Sequence, residues 1–203
     1  MEREANFLMS KPESEIGVLY VESETAAYVG QFSRARELAK RVVEALRQKR
    51  QKDRAGAYEV QAALREALIG NLPLAKAQVE DALTLSQLNY VQGVSAIVLA
   101  LAGDAVKATQ LADDLTTRFP ENTMIRVHYQ PMARGVIALK EGNTGKAIEA
   151  FSLDTYELGM FQWMSFVNLY PAYLHGLALL AAHQGATAVE ENSRRFSTIR
   201  GLS

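Results

Sequence analysis

Three histidines, the adjacent carboxylates Asp113-Asp114 and Glu190-Glu191 and one strongly basic stretch stand out as residues with chemistry to offer. His128 has no second ligand at helical spacing. His175 and His183 are eight residues apart, two turns along one helical face, but no carboxylate lies between them to complete a metal site. Asp113-Asp114 and Glu190-Glu191 are neighbours in sequence. Successive residues on a helix point about 100° apart, so neither pair shares a proton, and both read as solvated faces. No Gly-x-Ser-x-Gly elbow activates a serine, and no Gly-x(4)-Gly-Lys loop cradles phosphate. The chain has no cysteine, which removes thiol catalysis, cysteine metal sites and disulfides without deciding the compartment. No catalytic, cofactor or metal constellation is legible, and a non-enzyme is expected.

The basic stretch is residues 34–54, with nine Lys or Arg against three acids, whereas residues 1–24 hold six acids against two bases. Arg36, Lys40, Arg41, Arg47, Lys49 and Arg50 form a candidate basic patch. It reads either as a dock for an acidic partner or as the solvated face of a long helix balanced by its neighbours. No aromatic residue interleaves the charges, which argues against single-stranded nucleic acid. The net charge of -1 gives no global pull towards nucleic acid or an anionic membrane, so no nucleic-acid partner is expected.

The elements that would hold these residues repeat. Five times a helix end with small residues runs into Gly and then a second helix: at Gly30, Gly70, Gly103, Gly142 and Gly185, spaced 40, 33, 39 and 43 residues. Self-similarity at that period marks a helical solenoid, in which each helix pair buries its apolar face against its neighbours. Seven residues before the glycines stand Ser23, Ala63, Ala96, Gly135 and Ala178; five after stand Ala35, Ala75, Ala108 and Ala147, then Glu190. Small residues at both places allow the helices of a pair to cross closely. Hydrophobic residues at 48% and aromatics at only 8% suit that packing better than a β-rich core.

The expected fold is all-α: one array over residues 1–203 with about five helix pairs, near 13–50, 54–87, 89–120, 122–152 and 168–200. Ser33 is the expected N-cap of the second helix. Pro73 suits a first helical turn, and Pro120 follows a helix that has already stopped. Pro131 falls inside the first helix of pair four, which should start late or kink there. The irregular connection 153–167 carries Tyr156, Phe161, Trp163 and Phe166; the last three are expected to anchor a partner or to fold back over the seam between pairs four and five. A short helix is expected over residues 1–9. The chain opens almost directly into helix-like sequence, as expected of a piece of a longer protein. No signal peptide is visible. The longest apolar stretch, Val94 to Ala102, is about half of the ~20 residues a span needs, so no membrane insertion by this segment is expected.

The small-x(6)-Gly-[polar]-x(3)-Ala spacing resembles the tetratricopeptide repeat over roughly residues 13–200. The resemblance implies a right-handed α-α superhelix whose last pair caps the array. The ordered runs Thr25-Ala26-Ala27-Tyr28-Val29-Gly30, Leu99 to Asp104, Ala112-Asp113-Asp114-Leu115, Arg118-Phe119-Pro120, Tyr156-Glu157-Leu158-Gly159 and Leu169-Tyr170-Pro171-Ala172-Tyr173-Leu174 are similar to the repeat region behind the kinase domain of acidobacterial serine/threonine kinases of eukaryotic type. Related regions follow winged-helix DNA-binding domains. No kinase motif occurs here, so no ATP site carries over.

The resemblance implies a non-catalytic scaffold that binds a protein or peptide, as the sensor or adaptor region of a larger signalling protein. The alternative is a structural spacer or self-association module. In tetratricopeptide arrays the first helix of each pair lines the concave wall. Carried over by position, the candidate groove residues are Tyr20, Glu24, Tyr90, Tyr129, Met132 and His175, each of which lines that wall or fills the interface. The array could lie in the cytoplasm or, in a membrane-anchored parent, outside it.

Overall fold

A computed structural model describes residues 15–152, 170–187 and 189–190. Among them all regular structure is helical: α1 (Glu15–Tyr28), α2 (Phe32–Gln48), α3 (Lys52–Leu68), α4 (Leu72–Leu85), α5 (Asn89–Leu101), α6 (Ala105–Arg118), a π-helical segment (Ile125–Tyr129), α7 (Gln130–Lys140), α8 (Thr144–Ser152) and α9 (Tyr170–Ala181). The helix expected over residues 1–9, the aromatic connection 153–167 with Trp163, Phe166, and the end of the last pair lie outside the described residues.

The helices stop where the glycines demand it. At the end of α1 the Gly30 amide donates to the Ala27 carbonyl and the Gln31 amide to that of Ala26, while Gly30 has φ +78°. This is the paired hydrogen bonding that closes a helix through one left-handed residue. The residue after it then starts the next helix: the Gln31 carbonyl accepts from the Ala35 amide. The same pattern recurs at Gly70, Gly103 and Gly142. It also occurs where the sequence offers no glycine. Arg50, at φ 57°, closes α2: its amide donates to the Arg47 carbonyl and the Gln51 amide to that of Leu46, while the Gln51 carbonyl opens α3. Residues 30, 50 and 70 are therefore equivalent, and in this part of the chain the structural repeat is a single helix of 20 residues. Ala35, Ala55 and Ala75 occupy one position in it, each fully buried.

The fifth turn shifts register. His183, not Gly185, takes the left-handed conformation, at φ 60°, and Gly185 already belongs to the next helix. Counting from His183 moves the small position seven residues upstream to the buried Gly176 and the downstream one from Glu190 to residue 188, an alanine. Glu190 breaks the pattern only in the wrong register.

A left-handed residue with a Cβ costs about 1 kcal/mol relative to Gly. Arg50→Gly is therefore expected to raise stability by about that amount, and Gly30→Ala to lower it by a similar amount, in matched denaturant titrations. A loss on Arg50→Gly would show that the Arg50 side chain contributes more than its backbone costs.

Ser33 does not cap α2; Gln31 holds the N-cap position without a side-chain bond, and Ser33 is inside the first turn. Side-chain caps occur instead at Asp104, Asn122 and Asn143, each accepting from the amide three residues on. Pro73 sits in the first turn of α4 and Pro120 beyond the end of α6. Pro131 lies in the first turn of α7, preceded by the π-helical segment whose Gln130 amide reaches the Ile125 carbonyl, five residues back. The wider turn passes into α7 at a point where the proline has no N–H to donate.

The chain divides into two compact units, residues 1–91 and 92–203, with the boundary inside α5. In the first, α1 packs on α2, α2 on α3 and α3 on α4, around Leu19, Leu38, Val42, Leu46 and Val60. In the second, α6 and the π-helical segment pack on α7, α7 on α8 and α8 on α9, around Ile97, Leu115, Ile125, Met132, Phe151 and Leu174. Among the described residues no helix is long and apolar enough to cross a membrane.

A polar cleft in the first unit as the candidate functional site

Helical spacing puts Tyr20, Ser23 and Glu24 on one face of α1, and Tyr58, Gln61, Ala62 and Arg65 on one face of α3. With Ala39 and Val42 of α2 they line a cleft that has room for about one water molecule. Ser23 holds the small position of its repeat. Its hydroxyl donates to the Ala35 carbonyl at 2.8 Å, tying α1 to α2 at their crossing. Arg65 reaches from α3 to α1: Nη1 donates to Glu24 Oε1 at 2.8 Å and to Ser23 Oγ at 3.4 Å. The pair is largely shielded, with the Arg65 side chain 12% and the Glu24 side chain 25% exposed. Tyr20 and Tyr58 meet edge to face, their ring centroids 4.8 Å apart. Gln61 donates through Nε2 to the Tyr90 hydroxyl at 2.8 Å, which joins the start of α5 to the cleft.

Burial governs the titration of these groups. It holds the Glu24 carboxyl above its usual range, with Arg65 pulling the other way. It pushes the Tyr90 phenol up to about 12, partly offset by Gln61, and raises Tyr20 further, with Glu24 adding to the effect. For a phenol with a raised folded-state pKa, the linked stability is complete below pH ~10 and is lost as the pH rises towards the folded value. In a spectrophotometric titration at 295 nm, Tyr20 and Tyr90 are thus expected to ionise only as the first unit unfolds. Tyr20→Phe and Tyr90→Phe should each remove one late phenolate. A late phenolate signal undiminished in both variants would show that other tyrosines are responsible.

Of the six sequence-predicted groove residues, the structure brings together Tyr20, Glu24 and Tyr90. Tyr129, Met132 and His175 lie in the second unit and fill its core rather than line a surface, at 6%, 0% and 6% exposure. Tyr129 packs its ring against the Cα of Gly93, and Met132 falls on the buried face of α7. His128 is also buried, with the Tyr170 hydroxyl 2.6 Å from Nε2. Among the described residues no cluster of three metal-ligating side chains forms.

The basic patch is partly absorbed by neighbours. Arg36 makes a two-pronged pair with the buried Glu66, and Lys40 pairs with Glu44 at 3.8 Å. Arg41, Arg47, Lys49 and Arg50 are exposed. The neighbouring aspartates also diverge, as helical geometry requires: Asp113 pairs with Arg134 and Asp114 with Arg118.

Sequence reading missed Tyr58, Gln61 and Arg65. Register explains why. Glu24 lies six residues before Gly30, and the equivalent residue before Gly70 is the buried Leu64, not Arg65. Helices that cross at an angle bring non-equivalent positions together. The detectable signal was the 3-4-7 spacing of polar and aromatic residues along α3. The cleft presents aromatic edges, a guanidinium, an amide and a carboxylate, and its Ser23 hydroxyl donates to a main-chain carbonyl. No protein-family model, curated protein or solved structure matches this chain.

Proposed function

We propose that this chain is a non-catalytic scaffold that binds a protein or peptide, and that the cleft between α1 and α3 is a contact point for the partner. One observation carries the reading: Tyr20, Tyr58, Tyr90 and Arg65 converge on one half-buried patch of the first unit. Tyr and Arg are the side chains that protein interfaces favour, because each combines a large, stiff contact area with a polar end. The repeated left-handed turns and small crossing residues support a tetratricopeptide-like array, for which the right-handed superhelix is part of the proposal. The order of the sequence motifs supports a place as sensor or adaptor in a larger bacterial signalling protein.

The test is to pan a displayed random peptide library against the full chain. Selected peptides are then measured by calorimetry against Tyr20→Ala and Arg65→Lys, with circular dichroism confirming that each variant is folded. A central interface contact is worth about 2 kcal/mol, so a loss of at least ~10-fold is expected. Peptides that bind both variants as tightly as the parent would move the contact away from this cleft. A library that yields no binder would favour a spacer or self-association module instead.

A further inference from the structure

The last described helix of the second unit exposes a face that the earlier helices keep covered. Counted back from the left-handed residue of each turn, the positions ten, six and three residues upstream share one helical face. In α1 they are Tyr20, Glu24 and Ala27, and α3 meets the first two. In α5 they are Gly93, Ile97 and Ala100, all buried, and the Tyr129 ring of the next helix pair lies on Gly93. Val60, Leu64 and Ala67 of α3 are buried as well. In α7, on which α9 packs, Met132 and Val136 are buried and Leu139 is half-buried. Each of these helices thus turns this face towards the pair that follows.

In α9 the same three positions are Tyr173, Leu177 and Leu180. They are as apolar as their counterparts, yet Tyr173 is 52% and Leu180 56% exposed, with Leu177 half-buried between them. A continuous apolar stripe on a helix surface marks a place of contact.

Charge identifies the occupant. Residues 170–184 contain no Asp, Glu, Lys or Arg. The helix offers nothing to a charged partner, and nothing on it repels a second copy. The stripe also matches itself in spacing. Tyr173 and Leu180 stand two helical turns apart, so antiparallel copies of α9 related by a two-fold axis near Leu177 set Tyr173 of each against Leu180 of the other. Stacking head to tail on α1 is disfavoured. The α3 face that receives α1 holds Tyr58, Gln61, Ala62 and Arg65, and the equivalent residues of α1 are Val18, Val21, Glu22 and Thr25. That arrangement would press the Glu22 carboxylate against the stripe with no cation on α9 to meet it.

We propose that the chain self-associates through Tyr173, Leu177 and Leu180, as a two-fold dimer in which the α9 helices of two copies cross antiparallel. The proposal goes beyond the peptide-binding reading and does not depend on it, since that cleft belongs to the first unit.

Sedimentation equilibrium of the full chain tests it. Three side chains per copy make an interface at the small end of the specific range, so a monomer–dimer equilibrium with a Kd on the order of 10 µM is expected. Leu180→Glu and Tyr173→Lys should each weaken it at least ~10-fold. Both side chains are more than half exposed, so circular dichroism should show both variants folded. The double variant Tyr173→Lys with Leu180→Glu sets opposite charges face to face across the axis and should dimerise more tightly than either single variant. Within one helix the two positions are about 10 Å apart along the axis, too far to pair. The chain has no cysteine, so Leu177→Cys places a single thiol near the axis. Mild oxidation should link it into a disulfide dimer, whereas Glu149→Cys, at an exposed position of α8, should stay monomeric. If either charged variant loses its fold, cross-linking at Leu177 decides.

A dimer that both single variants leave intact forms elsewhere and overturns the proposal. A double variant no tighter than the single ones, or equal cross-linking from positions 177 and 149, overturns the antiparallel pairing. A parent that stays monomeric well above the expected Kd overturns the proposal as well. Loss of stability in Leu180→Glu would then mean that another part of this chain covers the stripe, and unchanged stability that a different protein does.

Discussion

Gly135→Ala is expected to destabilise the second unit by about 2 kcal/mol, although alanine is the better helix former. Gly135 lies within α7, and a Cβ there would overlap the Phe151 ring of α8. Phe151 is itself buried, at 1% exposure. Overpacking of this kind typically costs 1–3 kcal/mol, more than the up to ~1 kcal/mol that alanine gains by helix propensity. Gly93→Ala should behave alike, because its Cβ would enter the Tyr129 ring. Gly17 provides the contrast: it lies in α1 with nothing within 4 Å of its added Cβ, so Gly17→Ala should stabilise by about 0.5–1 kcal/mol. Thermal unfolding followed by circular dichroism decides the signs. In the double variant Gly135→Ala with Phe151→Leu, the trimmed side chain should recover part of the loss. Their non-additivity should reach at least ~1 kcal/mol, since the two residues touch. Additive losses would place the strain of Gly135→Ala elsewhere.

Glu66→Ala is expected to cost about 3 kcal/mol, the largest effect of any charged side chain in the first unit. Glu66 is 1% exposed within α3 and its carboxylate gathers three donors: Arg36 Nε at 3.0 Å, Arg36 Nη2 at 2.8 Å and Asn71 Nδ2 at 2.8 Å. The Asn71 amide also closes α3 on the Glu66 carbonyl at 2.8 Å, and the Asn71 carbonyl opens α4. One side chain thus joins α2, α3 and the turn into α4. Alanine leaves a cavity and releases the Asn71 side chain at the turn. Glu66→Gln keeps the shape and the Asn71 contact region but removes the charge that the two-pronged arginine pair needs, so a smaller loss is expected. Chemical denaturation of the three forms measures the order. Near-equal stability of the alanine variant and the parent would show that desolvation of Glu66 cancels all it gains.

Helix placement was largely legible because it depends on local chemistry. Gly30, Gly70, Gly103 and Gly142 take the left-handed residue of their turns, and Pro73 and Pro120 stand where a missing N–H does no harm. The small residues Ser23, Ala63, Ala96, Gly135 and Ala178 are all buried, as are Ala35, Ala75, Ala108 and Ala147. The left-handed turns at Arg50 and His183 are not legible in the sequence, because neither residue type favours that conformation. In each of those turns two backbone hydrogen bonds hold the residue in a conformation its own type disfavours.

The chain by itself determined its helices, its turns and the small residues at their crossings. Each depends on the conformational limits of a few neighbouring residues, and those limits travel with the sequence. Tertiary structure alone decided which side chains meet. Tyr20 and Glu24 became part of a cleft because Tyr58, Gln61 and Arg65 arrive from a different register on α3. Tyr129 and Met132 became core because their faces of the π-helical segment and α7 turn inward. The physical reason is that helix crossings add rotation and offset between elements. Neither is written in the period of one helix, and together they determine whether a tyrosine lines a cleft or fills a core.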